Sequence, residues 1–322
     1  MPRPKKLGLW TTAALLIGCA AATGCYFCAR WYGFEVIAWR GASVWVAVTP
    51  KDSRLSESMR VALRNAVPQP RSGVFQWERR AEGLETAELP VLAEGNEVDR
   101  LLLVRIDPAK YRFEVRNAPA GDHDLSNWMN QLHAVVVTNG SYFSQNGTPA
   151  TPLLSDRAQL GPATYHATHG AFVVSDQFTG VYDLQQQDWR DLFRQARFGM
   201  VSYPLLVGPG PSRVQADHRW LANRTFIASD SAGRILLGTT KEAFFSLDRL
   251  AAFLKAAPLD LTLALNLDGG SVACQSVSVA DFTRNFCGDW ETKFEQGQIQ
   301  LLRRLIRRKS PGLPVVVAVL PK

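Results

Sequence analysis

The sequence has few of the side chains that bind transition metals, with five histidines and five cysteines in 322 residues. They form no cluster with ligand spacing in the body of the chain, so we expect neither a metal centre nor a cofactor. Both glycine-rich nucleotide motifs, the Walker loop and the dinucleotide fingerprint, are missing, which excludes those two kinds of phosphate site. The chain also lacks internal repeats and low-complexity segments, which excludes repeat architectures.

Charge of one sign is in excess only locally. The formal net charge is +7, but eight basic residues lie near the two ends, three within residues 3–6 and five within residues 303–309. The rest of the chain is close to neutral, which argues against a nucleic-acid-binding surface. Apolar residues make up 46% of the chain, enough to form the core of one large domain or two small ones.

One long uncharged run lies near the amino terminus, from Leu7 to Ala29. As a helix it is about 35 Å long, enough to cross a bilayer core of about 30 Å. Arg3, Lys5 and Lys6 precede it, and such a basic cluster stays in the cytoplasm. We therefore predict an inner-membrane anchor with the rest of the chain in the periplasm. A cleaved signal peptide and a secreted chain, or a lipoprotein with its lipid on Cys19, stay open as alternatives.

Two cysteines, Cys274 and Cys287, lie outside this apolar run. In an oxidising compartment such a pair can form a disulfide. Two buried free thiols are the alternative, because the sequence does not show whether the geometry permits a bond.

The order of predicted elements favours an α+β fold with a mixed, largely antiparallel sheet and a few helices, preceded by a transmembrane helix. We divide the chain into an anchor or signal segment (1–30), a linker and N-terminal shielding region (31–95), and one domain (96–322). Strands or strand pairs are predicted over residues 99–106, 111–115, 135–137, 171–182, 225–238, 261–267 and 315–320, and helices over residues 125–132, 244–256 and 298–309.

Two further segments are candidates for contact with a membrane. The valine-rich run from Val44 to Val48 predicts a strand or an apolar patch near the bilayer. The helix predicted over residues 298–309 has leucine and isoleucine on one face and arginines on the other. We interpret it as a core-facing helix with a solvated basic face, or else as a basic helix on anionic lipid.

Four loops at strand ends carry the candidate chemistry. In the first, Asn139 can donate and accept at once and Gly140 lets a ligand approach the backbone, although an ordinary Asn-Gly turn is the alternative. The second, residues 203–208, is a strand entering a turn and is open to a purely structural role. In the third, Arg224 can hold a phosphate or carboxylate in its guanidinium fork, or form a structural salt bridge.

The fourth loop, Asp268-Gly269-Gly270-Ser271, is the most informative of the four. An apolar strand delivers one carboxylate, and the two glycines that follow can expose backbone N–H groups. A carboxylate beside such donors suits a site that handles both a developing cation and an anion. A β-turn capped by the aspartate is the alternative.

In this order and spacing, the four loops resemble the signature segments of the bacterial phosphodiester glycosidase family. That family includes the catalytic domain of N-acetylglucosamine-1-phosphodiester alpha-N-acetylglucosaminidase. The resemblance extends from about Arg100 to Leu320. The chain departs from the family pattern at Ser271, where a third glycine is frequent, and at Asp156-Arg157, where Asp-Gly is expected.

The resemblance implies hydrolysis of a sugar-1-phosphodiester, in a cell-envelope glycan such as an exopolysaccharide, to free sugar and a phosphomonoester. Asp268 is then the nucleophile or base, Arg224 clamps the phosphate, and Asn139 orients the substrate. The residues expected to bind substrate, partly through backbone N–H groups, are Gly140, Tyr142, His169, Gly269, Gly270 and Ser271. The implied partners are a carbohydrate phosphodiester and, through the N-terminal segment, the membrane.

Two other functions stay open. A glycan-binding or polysaccharide-assembly protein of the same fold would keep the site without turnover. A serine hydrolase would use Ser141 or Ser271, although neither lies in a nucleophile-elbow pattern. His166 and His169 are candidates for the acid–base partner, and their spacing alone is poor evidence for a metal site.

Overall fold

The computed structural model describes residues 7–32, 43–64, 69–216, 220–304 and 310–322. Arg3, Lys5 and Lys6, on which the predicted orientation depends, lie outside the described residues, as do residues 305–309. Helix α1 covers Leu7–Trp31, and its stretch Thr11–Ala29 is long and apolar enough to cross a membrane. None of this stretch is buried in the protein, as for a membrane anchor or a signal sequence.

The strands of the described residues form four antiparallel sheets. The small sheet contains β1 (Ser43–Val48), β14 (Trp220–Ala222), β20 (Glu291–Glu295) and β21 (Gln298–Arg304). The main sheet contains β2 (Arg71–Ser72), β3 (Glu78–Ala81), β4 (Leu84–Ala93), β5 (Asn96–Ile106), β13 (Leu205–Val207), β15 (Thr225–Asp230), β16 (Ile235–Thr240) and β17 (Leu261–Asn266). The second sheet contains β6 (Tyr111–Asn117), β7 (Val136–Asn139), β18 (Cys274–Val279), β19 (Phe282–Cys287) and β22 (Val315–Pro321). The third sheet contains β8 (Leu153–Ser155), β9 (Ala158–Leu160), β10 (Gly170–Val174), β11 (Thr179–Asp183) and β12 (Phe198–Ser202).

In the part of the chain that the structure describes, four short helices accompany the sheets: α2 (Glu57–Ala62), α3 (Leu125–Leu132), α4 (Trp189–Gln195) and α5 (Leu247–Ala256). Side-chain alternation on the strands separates the faces that they cover. On β5, Leu102 and Val104 enter a core shared by the three larger sheets, whereas Leu101 and Leu103 pack on the opposite face with α5. Helices α3 and α4 pack in the same way on the outer faces of the second and third sheets. Each of these helices thus removes one apolar sheet face from water.

The predicted α+β class with a largely antiparallel sheet is confirmed. Helix α3 covers the predicted residues and is capped by Asp124, whose side chain accepts the Asn127 N–H at 2.9 Å. The helix predicted from residue 244 begins instead at Leu247. The Val44–Val48 run lies within strand β1.

The helix predicted over residues 298–309 is wrong for residues 298–304, and the remainder of it lies outside the described residues. Residues 298–304 form β21, which pairs with β1 on one side and with β20 on the other. Ile299 and Leu301 alternate into the interior, with 5% and 0% of their surface exposed. Over so short a stretch the leucine spacing satisfies a period of two as well as a helical period. The hydrogen bonds offered by two neighbouring strands decide between them.

The domain boundary predicted after residue 95 falls inside a hairpin. Strand β4 pairs with β5 along its length, from Leu84 opposite Ile106 to Ala93 opposite Asn96. The main sheet therefore extends into the region that the sequence analysis assigns to a linker and shielding segment.

Cys274 and Cys287 lie opposite each other on β18 and β19 and form a disulfide. The bond joins the start of the hairpin to its end, next to the loop that carries Asp268. Of the two states left open by the sequence, the structure has the bonded one.

We expect the double variant Cys274→Ser/Cys287→Ser to lower the free energy of unfolding by about 3 kcal/mol, because the bond closes a short loop in the unfolded chain. Denaturant unfolding of the full chain in detergent, without reductant, measures this. Cys19→Ser, which removes an exposed thiol on α1, is the control. Equal stability of the double variant and the control would contradict the expectation.

Candidate active site

The candidate site lies where one edge of the main sheet meets the second sheet. Strands β15 and β17 run antiparallel with Phe226 opposite Asn266, so β15 begins beside the point where β17 ends. Arg224 directly precedes β15, and Asp268 follows the end of β17 by two residues. The two residues are therefore brought to the same edge, and the Leu267 N–H donates to the Thr225 carbonyl at 2.9 Å between them.

Asn139, the last residue of β7, joins this edge to the second sheet. Its Nδ2 donates to the Asp268 carbonyl at 2.7 Å and to the Gly140 carbonyl at 3.3 Å, and its Oδ1 accepts the Cys274 N–H at 3.0 Å. The Asp268 N–H in turn donates to the Gly140 carbonyl at 3.0 Å. Both N–H bonds and the carbonyl of this buried carboxamide are thus engaged with backbone. Asn139 positions the Asp268 loop.

Arg224 is buried, and backbone carbonyls hold its guanidinium in place. Nε donates to the Phe245 carbonyl at 3.1 Å and Nη2 to the Trp220 carbonyl at 2.9 Å. Nη1 lies beside Gly269, 3.5 Å from where a Cβ on that residue would be. The positive charge is therefore fixed against the loop that carries Asp268, in the manner of a preorganised anion site.

Tyr142 lies beside the end of β17. Its hydroxyl donates to the Tyr203 carbonyl at 2.8 Å and accepts from Asn266 Nδ2 at 2.7 Å. The rings of Tyr142 and Tyr203 stack with their centroids 4.5 Å apart and 26° between their planes. Asn266 is fully buried, so the last residue of β17 positions the Tyr142 hydroxyl.

The charges of Asp268 and Arg224 both act on the Tyr142 hydroxyl. Burial raises the pKa of Tyr142, the Asp268 carboxylate raises it further, and Arg224 lowers it. Burial and the Asp268 carboxylate also raise the pKa of Tyr203. Both phenols are therefore neutral at neutral pH. A carboxylate, a guanidinium and two neutral phenols share one site.

The glycine N–H groups of the site are engaged within the protein. The donors and acceptors are Gly140 to the Val315 carbonyl at 2.7 Å, Gly269 to Asp268 Oδ1 at 2.9 Å, and Gly270 to the Asn223 carbonyl at 2.8 Å. This corrects the expectation that these N–H groups face sugar or phosphate. The glycine at 140 instead serves close packing, since a Cβ there would lie 2.5 Å from Val315 Cγ1.

His169 lies on the other side of Tyr203, with the two ring centroids 6.4 Å apart. Its Nδ1 accepts the Leu205 N–H at 3.3 Å, so the neutral ring carries its proton on Nε2. Burial lowers the pKa of His169, and the charge of Arg213 lowers it further against the opposite effect of Asp183. His169 and the exposed His166 line an open cavity of about 210 Å³ together with Tyr203.

The two serines considered as nucleophiles are buried, Ser141 with 1% and Ser271 with 6% of its surface exposed. Ser141 Oγ accepts a hydrogen bond from Thr151 Oγ1 at 3.2 Å. Ser271 lies in a 3₁₀ turn, Gly270–Val272, directly after the Asp268 loop. Neither hydroxyl is presented at the surface of the site.

Three site residues were not proposed from the sequence: Asn266, Tyr203 and Glu291. A polar residue that ends an apolar strand two positions before Asp268 was the available signal for Asn266. Glu291 accepts the Trp220 Nε1–H at 2.7 Å, and its carboxylate faces Gly270. No local motif contains Glu291, because only the pairing of β14 with β20 brings it to the loop.

Comparison with known proteins gives one family. The sequence model of the phosphodiester glycosidase family matches residues 132–293, half of the chain. No curated protein matches the chain significantly. Among solved structures, the chain is similar to the auto-inhibited catalytic domain of zebrafish N-acetylglucosamine-1-phosphodiester alpha-N-acetylglucosaminidase, with 16% identity, a TM-score of 0.49, and coverage of 87% of this chain and 88% of that one. It is also similar to a hypothetical protein from Synechocystis, with 15% identity, a TM-score of 0.44, and coverage of 72% and 64%.

We expect Asn139→Ala to lower the free energy of unfolding by about 2–4 kcal/mol, because it leaves the buried Cys274 N–H and the partly buried Asp268 carbonyl without this partner. Denaturant unfolding of the full chain in detergent measures the change. Asn127→Ala, at an exposed position of α3, is the matched control and should change stability little. A loss no larger than in the control would show that the carboxamide does not hold the loop.

We expect His169 to titrate below the ordinary histidine pKa of 6.5. Between the folded-state pKa and about 6.5, His169 is protonated in the unfolded chain and neutral in the folded chain. This residue therefore lowers the free energy of unfolding as the pH falls below about 6.5. The loss is complete below the folded pKa and absent well above 6.5. NMR titration of the imidazole resonances and unfolding at a series of pH values measure both effects.

His169→Gln should remove this part of the pH dependence, and His166→Gln, at an exposed position, should leave it in place. A folded-state pKa of His169 at or above 6.5 would contradict the expectation.

Proposed function

Because the chain belongs to the phosphodiester glycosidase family, we propose that it hydrolyses a sugar-1-phosphodiester of the N-acetylglucosamine-1-phosphodiester type. The proposed substrate is part of a cell-envelope glycan or glycoconjugate, and the products are the free sugar and a phosphomonoester. Family membership supports a hydrolase acting on phosphodiester-linked sugars. The substrate and its setting are our proposal.

The observation that carries the proposal is that the guanidinium of Arg224 lies beside the loop that contains Asp268. The carboxylate and the guanidinium come from different strands, yet both act on the hydroxyl of Tyr142. A substrate that develops positive charge on its sugar and carries negative charge on its phosphate needs such a pair. A site for a neutral glycoside needs no buried arginine.

The chemistry assigns a role to each group. The bond between the anomeric carbon and the phosphate oxygen breaks with its electron pair going to the phosphate. Asp268 stabilises or traps the developing cation, and water finally adds its hydroxyl to the anomeric carbon and gives up its other proton to the solvent or to the released phosphomonoester. Arg224, oriented by the carbonyls of Phe245 and Trp220, holds the phosphate oxygens. Since a phosphomonoester is a good leaving group, little general-acid assistance is required.

Tyr142 and Tyr203 are neutral phenols on which the Asp268 charge acts. With raised pKa values both keep their protons at neutral pH. The Tyr142 O–H is engaged with the Tyr203 carbonyl and so positions Tyr203, whose own hydroxyl can donate to sugar or phosphate oxygens. His169 Nε2–H is a further donor on the Tyr203 side of the site. We assign these three residues to substrate binding and not to the bond-breaking step.

We place the domain in the periplasm, anchored in the inner membrane by α1, with a lipid-anchored or secreted form as the alternative. The apolar, unburied helix α1 supports attachment to a membrane. The Cys274–Cys287 disulfide supports an oxidising compartment.

We expect Asp268→Asn to lower the rate of hydrolysis at least a hundredfold, because the amide can neither stabilise the cation nor act as nucleophile or base. The full chain in detergent is incubated with methyl N-acetylglucosamine-1-phosphate, and free sugar and phosphomonoester are followed by proton and phosphorus NMR. Asp281→Asn, at an exposed turn between β18 and β19, is the matched control.

Turnover retained in Asp268→Asn would remove this residue from the mechanism. Saturable binding of the phosphodiester without any turnover by the wild type would favour instead a non-catalytic glycan-binding or assembly protein.

A further inference from the structure

Two tryptophans lie exposed next to each other on the small sheet. Trp45 on β1 and Trp220 on β14 have 36% and 42% of their surface exposed. Their ring centroids are 6.1 Å apart, and the ring planes are almost perpendicular, at 88°. Tryptophan is mostly buried in folded proteins, so a pair of exposed rings in contact forms an apolar surface that a ligand can cover. We call this pair the tryptophan platform.

Lys293 holds the platform in place. It lies opposite Trp220 in the pairing of β14 with β20, and its Nζ is 4.9 Å from the Trp45 ring centroid and 6.0 Å from that of Trp220. A cation at this distance attracts both π faces and limits rotation of the rings. Glu295 pairs with the same Nζ at 2.6 Å, so the charge beside the platform is balanced. The surface thus suits an uncharged ring better than an anion.

The tryptophan platform adjoins the candidate active site. The Trp220 Nε1–H donates to Glu291 Oε1 at 2.7 Å, and the Glu291 carboxylate faces Gly270. The Trp220 carbonyl accepts from Arg224 Nη2 at 2.9 Å. Trp220 therefore contacts the arginine assigned to the phosphate directly, and it reaches the loop that carries Asp268 through Glu291. A substrate that extends past the phosphate in this direction would reach the indole rings.

We propose that Trp45 and Trp220 form a carbohydrate subsite, which binds a pyranose ring of the substrate beyond the scissile phosphodiester. This inference rests on the proposed function. The C–H bonds on one face of a pyranose ring make an apolar surface that stacks on indole, while its hydroxyls stay in water. The chain then acts on an oligosaccharide or polysaccharide that carries the phosphodiester. Trp45 lies outside residues 132–293, so a strand beyond the family-matched segment contributes to the subsite.

The first test compares a short and a long substrate on the full chain in detergent. The short one is methyl N-acetylglucosamine-1-phosphate, and the long one has the same sugar phosphate esterified to a β-1,4-linked N-acetylglucosamine tetrasaccharide. We expect the wild-type KM to be about tenfold lower for the long substrate, and Trp45→Ala to abolish that difference. Phe294→Ala, which removes an exposed aromatic from the opposite face of β20, should preserve it. A length preference that survives in Trp45→Ala, or none in the wild type, would overturn the subsite.

The second test separates the subsite from catalysis. In an Asp268→Asn background, the unmodified tetrasaccharide should quench tryptophan fluorescence saturably, and Trp45→Ala should weaken its binding about tenfold. Such binding in a chain whose wild type hydrolyses neither substrate would leave the subsite intact and refute the proposed hydrolysis. Hydrolysis of the substrates without Trp45-dependent binding of the tetrasaccharide would refute the subsite and leave the proposed hydrolysis intact.

A lipid surface is the other ligand that exposed tryptophans suit, because aromatic residues accumulate at the membrane interface. The full chain is therefore reconstituted in vesicles of phosphatidylcholine and phosphatidylglycerol with brominated acyl chains. Quenching that decreases in Trp45→Ala, together with unchanged tetrasaccharide binding, would reassign the platform to the membrane. Quenching unaffected by the substitution supports the carbohydrate subsite.

Discussion

The carboxamide of Asn139 is the interaction on which the site depends. It joins the end of β7 to the backbone of Asp268 and to the first residue of the disulfide-closed hairpin, Cys274. Because both the amide nitrogen and the carbonyl oxygen are buried and engaged, the loop has little freedom to take another path. The position of the loop that carries the carboxylate is thus decided by a side chain whose hydrogen-bond partners are backbone groups.

Antiparallel pairing explains why residues far apart in sequence share this site. The beginning of one strand always lies beside the end of its antiparallel neighbour, and here that places Arg224 next to the Asp268 loop. The small sheet extends the same edge, since β14 leads directly into Asn223 and Arg224. Strand β20 brings Glu291 against Gly270 from the other side. The site is therefore assembled at the ends of paired strands, where ladders of hydrogen bonds already hold the backbone in place.

Much of the fold and the main candidate residues of the site could be predicted from the sequence, because their signals are local. Apolar runs that lead to Asn139 and Asp268 are visible in the chain, and so is the helical pattern of α3. Residues 298–304 were misread because a short leucine-rich stretch satisfies both periods, and only pairing with two neighbours selects the strand. The position of Glu291 and the hydrogen bonds of the glycine N–H groups could not be predicted from the sequence, because their partners come from segments that are distant in the chain.

The junction between α1 and the small sheet sets a limit on where the protein can work. Helix α1 ends at Trp31 and β1 begins at Ser43. The intervening residues 32–42 span at most about 40 Å when fully extended. With α1 in the membrane, as we propose, the edge of the domain that carries Trp45 stays within a thin layer along the bilayer. A polymer held in this layer has a high effective concentration at the site, whereas a freely dissolved small phosphodiester has only its bulk concentration there. Confinement would then select substrates by where they are held, before any side chain has contacted them.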